Sequence, residues 1–116
     1  MRYNDKSVLE NHHIAASFAL LKREELNIFE TLERAELKEM REKMIALVLS
    51  TDMAFHFSDQ AKLKGRLNSE DFDPTKDKDK LLCMTSIIHM ADISNPSKEF
   101  DLCRKWTELL FEEFFG

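Results

Sequence analysis

The stretch AELKEMREKMIALVL, residues 35–49, decides the fold class. Leu37, Met40, Met44, Leu47 and Val48 return at the three- and four-residue spacing of one helix face, while Glu36, Lys38, Glu39, Glu42 and Lys43 fill the other. The pattern predicts an amphipathic helix over 35–49. Upstream, Ser7 to Lys22 reads as a helix, with Ser7 as its N-cap and Glu10 three residues on in a capping-box pattern. Asn27 can cap a short helix over 27–32. Downstream, Thr51-Asp52 looks like a break or a new cap, and a further helix follows from Met53 to Arg66.

Gly65 to Lys80 has a different character. Asn68, Ser69, Asp71, Asp73 and Pro74 precede the alternating run Lys76-Asp77-Lys78-Asp79-Lys80. This reads as a solvated loop inside one domain rather than a functional charge patch, because neither flank could hold a core alone. Leu81 to Met90 is strongly apolar and reads as the next helix. Pro96 disfavours helical geometry for Asn95, so the chain should turn there. A last helix runs from Phe100 to Phe115, with Leu102, Cys103, Trp106, Leu109, Leu110 and Phe114 in one wide apolar stripe. The expected architecture is all-α, with five to six helices.

Composition agrees. The 116 residues contain only two glycines and two prolines, too few for the many turns of a sheet-rich fold. A net charge of −5 argues against a nucleic-acid partner. It also means that an anionic substrate would need a metal or a local basic group. No 18-residue apolar run predicts a membrane span, and Met1-Arg2-Tyr3-Asn4-Asp5 does not read as a signal peptide. Cys83 and Cys103 fit neither a zinc pattern nor a disulfide framework, and read as reduced thiols of a cytoplasmic protein. Phe111, Phe114 and Phe115 crowd the final turn, where water would meet them unless something covers them. The expectation is a truncated domain whose isolated chain associates.

Three clusters could carry chemistry. Glu10-Asn11-His12-His13 places Glu10 and His13 on one helical face, the Glu-x-x-His spacing of carboxylate di-iron bundles. That reading fails for lack of a second such pair, since Met53 and Ser86 stand three before His56 and His89. The run is not His-Glu-x-x-His either, and a histidine satisfied in a helical core explains it equally. Thr51-Asp52 with His56 is either a functional cluster or a cap with a four-residue side-chain pair. In His89-x-x-Asp92-x-x-Asn95, the carboxylate should be partly buried, and hence capped, paired or metal-bound.

Together these segments resemble class I cyclic nucleotide phosphodiesterases. Residues 3–13, YNDKSVLENHH, are similar to that family's YND-x-SVLENHH segment. Leu49-Ser50-Thr51-Asp52-Met53 with His56 resembles L-[AS]-TDM-x-x-H. His89 to Pro96 resembles H-x-AD-[IL]-S-[NH]-P, and Lys105-Trp106-Thr107 with Glu112-Glu113-Phe114-Phe115 resembles the WT…EEFF helix. The order and intervals fit across essentially the whole chain.

The resemblance implies part of a compact all-α catalytic domain that hydrolyses the cyclic phosphodiester of cAMP and/or cGMP in signal transduction. It implies two divalent metals, zinc and magnesium (or manganese), that activate a bridging hydroxide. It assigns Asp92 as a metal ligand. It assigns Glu10, His13, Thr51 and Asp52 to hold metal-bound waters and orient ligands. Met53, Ile93 and Asn95 would line the substrate pocket, and His56 and His89 would be structural. The family's HN-x-x-H…HD-x-x-H segment has no match here, so the general-acid histidine and the other metal ligands would lie upstream. The purine-clamping glutamine and phenylalanine would lie downstream. No catalytic residue is expected in residues 1–116, and this chain alone is expected to be inactive, its apolar faces covered by the rest of the domain. The alternatives are a non-catalytic helical interaction module, or another helical metal-dependent phosphohydrolase.

Overall fold

The computed structural model describes residues 2–116 and is all-helical among them. The α-helices are α1 (Val8–Leu20), α2 (Arg34–Leu49), α3 (His56–Leu67), α4 (Asp77–Asp92) and α5 (Phe100–Phe115). Single 3₁₀ turns lie at Glu24–Leu26, Met53–Phe55 and Asn95–Ser97. The all-α architecture and the strongest helix are as expected from the periodicity. Helix α2 packs on α1 on one side and on α4 on the other, and α3 packs on α4. The four helices therefore form a slab in the order α1, α2, α4, α3. Helix α5 leaves from the far end of α4 and touches chiefly the Asn95–Ser97 turn.

Several local expectations are corrected. Ser7 precedes α1, but its side chain makes no bond to that helix, so no capping box forms there. The box instead opens α2, where the Glu36 carboxylate accepts the Glu33 N–H at 3.0 Å. Residues 27–32 form turns rather than a helix; Asn27 Oδ1 still accepts the Phe29 N–H at 3.1 Å. Asp52 caps the 3₁₀ turn, accepting the Ala54 N–H at 2.9 Å, and only then does α3 begin.

The largest correction concerns the polar loop. It is shorter than 65–80, because α3 continues to Leu67 and α4 starts at Asp77. Asp79, read as part of a solvated run, is 1% exposed. Arg66 explains this. Its Nε and Nη2 grip the two Asp79 oxygens at 2.6 and 2.8 Å, and the Asp73 N–H donates to Asp79 at 2.9 Å. Arg66 Nη1 also donates to Asp71 at 2.6 Å. One guanidinium fork thus ties the end of α3, the loop and the start of α4. Hydrogen bonds from Arg66, then the Asp73 N–H, lower the Asp79 carboxyl from 3.8 to about 2.

The slab lacks a filled core. Among the described residues only Ile14, Asp79 and His89 are buried. The radius of gyration is 17.1 Å, against about 13 Å for a compact chain of this length. The accessible surface is 9723 Å², roughly 3,000 Å² more than a folded monomer of this mass shows. Much of it is apolar: Trp106, Leu109, Phe111 and Phe114 on α5 are each more than half exposed.

Two outcomes are expected. Excess surface on this scale, much of it apolar, matches that of an obligate interface, so the isolated chain should bind a hydrophobic dye and elute larger than 13.6 kDa; a monodisperse, dye-silent monomer would contradict this. Second, Asp79 titrates lower folded than unfolded. Its contribution is complete above about pH 4 and is lost as pH falls toward 2. Asp79→Asn should lower the urea midpoint at pH 7 and flatten its fall across that window. Parallel curves for the two proteins would refute the assignment.

Candidate functional site

The segment before α1 has an unusual backbone. Asn4, Asp5 and Ser7 all have positive φ, at 53°, 57° and 43°. Non-glycine residues take this left-handed region at a cost, least for Asn and Asp. Asn11 steadies the bend by donating its amide to the carbonyls of Lys6 and Ser7, each at 3.0 Å. The consequence is that the Ser7 hydroxyl points away from its own helix and donates to Asp52 Oδ2 at 2.7 Å.

Asp52 is thereby fixed at both oxygens. Oδ1 takes the Ala54 N–H and Oδ2 the Ser7 hydroxyl. Both bonds favour the ionised form, and hold this carboxyl below the ordinary range, the backbone N–H contributing more. Thr51, beside it, donates its hydroxyl to the Val48 carbonyl at 2.8 Å, which leaves its oxygen lone pairs free to accept. The start of α1, with Glu10 one turn on, therefore meets the Thr51-Asp52 corner. Glu10 is half-buried, whereas His13 is exposed.

Asp92 ends α4. It was expected partly buried, but it is exposed, and among the described residues it makes no side-chain hydrogen bond or ion pair. The reason is its place: Asp92 is the last residue of α4, where the chain leaves the helix at Ile93, and among the described residues nothing buries it. Near the middle of α4, the Ser50 hydroxyl comes within 3.4 Å of the Thr85 carbonyl. Thr85 lies about 10 Å along the helix from Asp92.

The three expected pocket residues diverge. Met53 is 56% exposed and Ile93 38%. Asn95 is half-buried and turned into α5: its amide nitrogen lies 3.3 Å from both the Cys103 carbonyl and the Thr107 hydroxyl, and its Oδ1 is buried without a partner. A groove of ≈ 980 Å³ opens between α3 and α4, but Ile93 alone of these three borders it. Arg66, Asp79, His56 and His89 border it too.

His56 does not pair with Asp52. Its Nδ1 meets His89 Nε2 at 2.7 Å, joining α3 to α4. A neutral imidazole carries one donor and one acceptor, so one ring must donate to the other. His89 Nδ1 is buried without a partner. A lone pair left there is less costly than an N–H, which assigns His89 as donor and His56 as acceptor. Sequence reasoning missed this pair, the Arg66–Asp79 fork and the Ser7–Asp52 bond. Each joins residues 13 to 45 apart, beyond any helical spacing.

No group of three or more His, Cys, Asp or Glu side chains among the described residues is placed to hold a metal ion. Among them, no helix is long and apolar enough to cross a membrane. His56→Ala should leave the His89 donor unmet and cost about 1–3 kcal/mol. Urea unfolding of both single variants and the double variant checks this, and additive losses would show that the rings do not interact.

The family model described as 3'5'-cyclic nucleotide phosphodiesterase matches residues 1–116. A probable 3',5'-cyclic phosphodiesterase of Caenorhabditis elegans is 45% identical over 115 residues, which is 99% of this chain and 17% of that protein. A dual specificity calcium/calmodulin-dependent 3',5'-cyclic nucleotide phosphodiesterase of Drosophila melanogaster is 44% identical, over 97% of this chain and 13% of its own length. Among solved structures, the phosphodiesterase domain of a rhodopsin fusion protein from the choanoflagellate Salpingoeca rosetta superposes with a TM-score of 0.86 at 35% identity. That match covers 97% of this chain and 36% of the solved domain.

Proposed function

Because this chain belongs to the 3',5'-cyclic nucleotide phosphodiesterase family, we propose that it is one part of a larger catalytic domain that hydrolyses cAMP and/or cGMP to the 5'-monophosphate. The observation that carries this reading is the exposed, unpartnered carboxylate of Asp92, within a chain that the family matches throughout. An exposed carboxylate with no internal partner retains all its lone pairs for a cation.

The residues present fit one ligand of a divalent metal and not a complete centre, which needs several converging donors. We therefore assign Asp92 to a metal, zinc or magnesium (or manganese), whose other ligands come from the rest of the domain. Such a metal would supply an activated water and polarise the phosphate. Around it, this chain's groups orient and hold protons. Asp52, ionised and fixed at both oxygens, keeps lone pairs for water donors. Glu10, His13 and Thr51 are assigned the same service. Met53, Ile93 and Asn95 are assigned to the pocket wall, Asn95 requiring its amide to swing out from α5. The exposed apolar face of α5 is covered by the remaining helices of the domain, and the protein works in the cytoplasm.

The test is hydrolysis by the full catalytic domain that carries residues 1–116, with the isolated chain as an inactive control. Asp92→Ala should remove metal-dependent turnover almost entirely. Asp52→Ala or Glu10→Ala should cost roughly 10–100-fold, as loss of outer ligand-orienting groups does. Full activity in the Asp92 variant, or metal-dependent turnover by the isolated chain, would overturn the proposal.

A further inference from the structure

Ser7 stands where a helix-capping serine is expected, and the structure uses it otherwise. Its φ of 43° lies in the left-handed region, its side chain makes no bond to α1, and its hydroxyl donates 2.7 Å to Asp52 Oδ2, 45 residues away. Backbone in this region is strained for such a residue, and persists only where its surroundings over-determine it. Asn4 and Asp5 share it, and the Asn11 amide clamps the bend from behind. A conventional cap would have satisfied a free N–H of α1 at no such cost. The bend instead delivers one hydroxyl to one carboxylate.

We infer that Ser7 is a positioning residue for Asp52: its hydroxyl fixes which lone pairs of that carboxylate face the α1 side and which stay open. The Ala54 N–H alone holds the carboxylate at one oxygen, Oδ1, and restrains its turning about the Cβ–Cγ bond by a single contact. The second bond, on the other oxygen, narrows that turning further. A carboxylate that orients a water must not rotate, since its catalytic worth lies in a direction. The same donor helps to keep Asp52 ionised. The inference rests on the role proposed above for Asp52, and its test separates the two.

The left-handed backbone supplies a clean variant. Ser7→Gly removes the hydroxyl while easing the φ that serine strains to adopt, so the relieved strain offsets the lost bond and stability should change little. Ser7→Asn tolerates the same backbone and restores a donor. In the full catalytic domain, Ser7→Gly should lower kcat roughly tenfold, the scale of one hydrogen bond to a charged group. KM and Tm should change little, and Ser7→Asn should recover most of the loss. In an Asp52→Ala background, Ser7→Gly should have no further effect, because the donor has nothing left to position. An unchanged kcat, or an equal loss in the Asp52→Ala background, overturns the inference. A ¹³C-carboxylate titration of Asp52 reads the bond independently of activity. Its midpoint should rise in Ser7→Gly, and an unmoved midpoint also overturns the inference. If the wild-type domain hydrolyses neither cyclic nucleotide, the proposed function fails, and the titration still decides the bond.

Discussion

The fork between Arg66 and Asp79 is the constraint on which the remaining geometry depends. Both oxygens of a carboxylate that is 1% exposed are gripped by one guanidinium, with the Asp73 N–H as a third donor. A buried ion pair is weak evidence of net stability, since desolvation offsets much of the attraction. It is strong evidence of geometry, because a planar fork meets a planar carboxylate in few orientations. Asp79 also sits in the first turn of α4, where the helix dipole favours an anion. The start of α4 is therefore set against the end of α3, and the register of α4 follows from it. His89 and Asp92 lie about 2.8 and 3.6 turns further along than Asp79. Neither could be where it is if the helix began elsewhere.

The two aspartates of the site are prepared in opposite ways. Asp52 has a donor on each oxygen, one from a neighbouring backbone and one from a distant side chain. Such a group keeps its charge and its direction. Asp92 has neither, and remains open at the end of its helix. A ligand must exchange its hydration for a cation, whereas an orienting group must not move. The contrast between the two carboxylates thus matches the division of labour proposed for them.

The sequence shows its helices clearly and its tertiary bonds poorly, for one physical reason. Residues 35–49 and 100–115 declare themselves because helical periodicity is local, and so do the turn at Pro96 and the break at Thr51-Asp52. Ser7 was misread because serine before a helix with glutamate three residues on is the ordinary signature of a cap; the left-handed backbone that redirects it leaves no mark in composition. Asp79 was misread because alternating lysine and aspartate looks solvated, and only Arg66, thirteen residues earlier, makes it a buried anchor. The motifs around Glu10, Asp52 and Asp92 were legible as family segments. Their environments were not, as the exposure of Asp92 and the inward turn of Asn95 show.

The attachment of α5 carries a consequence for how this region acquires its structure. Four helices are joined side by side, by the fork, the histidine pair, the Ser7–Asp52 bond and the Arg41 guanidinium 3.9 Å above the Phe18 ring. Helix α5 is held by the Asn95 amide and the short turn that carries it. Units with few internal contacts open at lower free energy than the body to which they are attached. Helix α5 is thus the least firmly held of the five helices. During folding, the slab can settle with its aspartates already in place before α5 comes to rest on the Asn95–Ser97 turn. The settling of α5 is in this sense a docking event rather than part of the slab's own collapse.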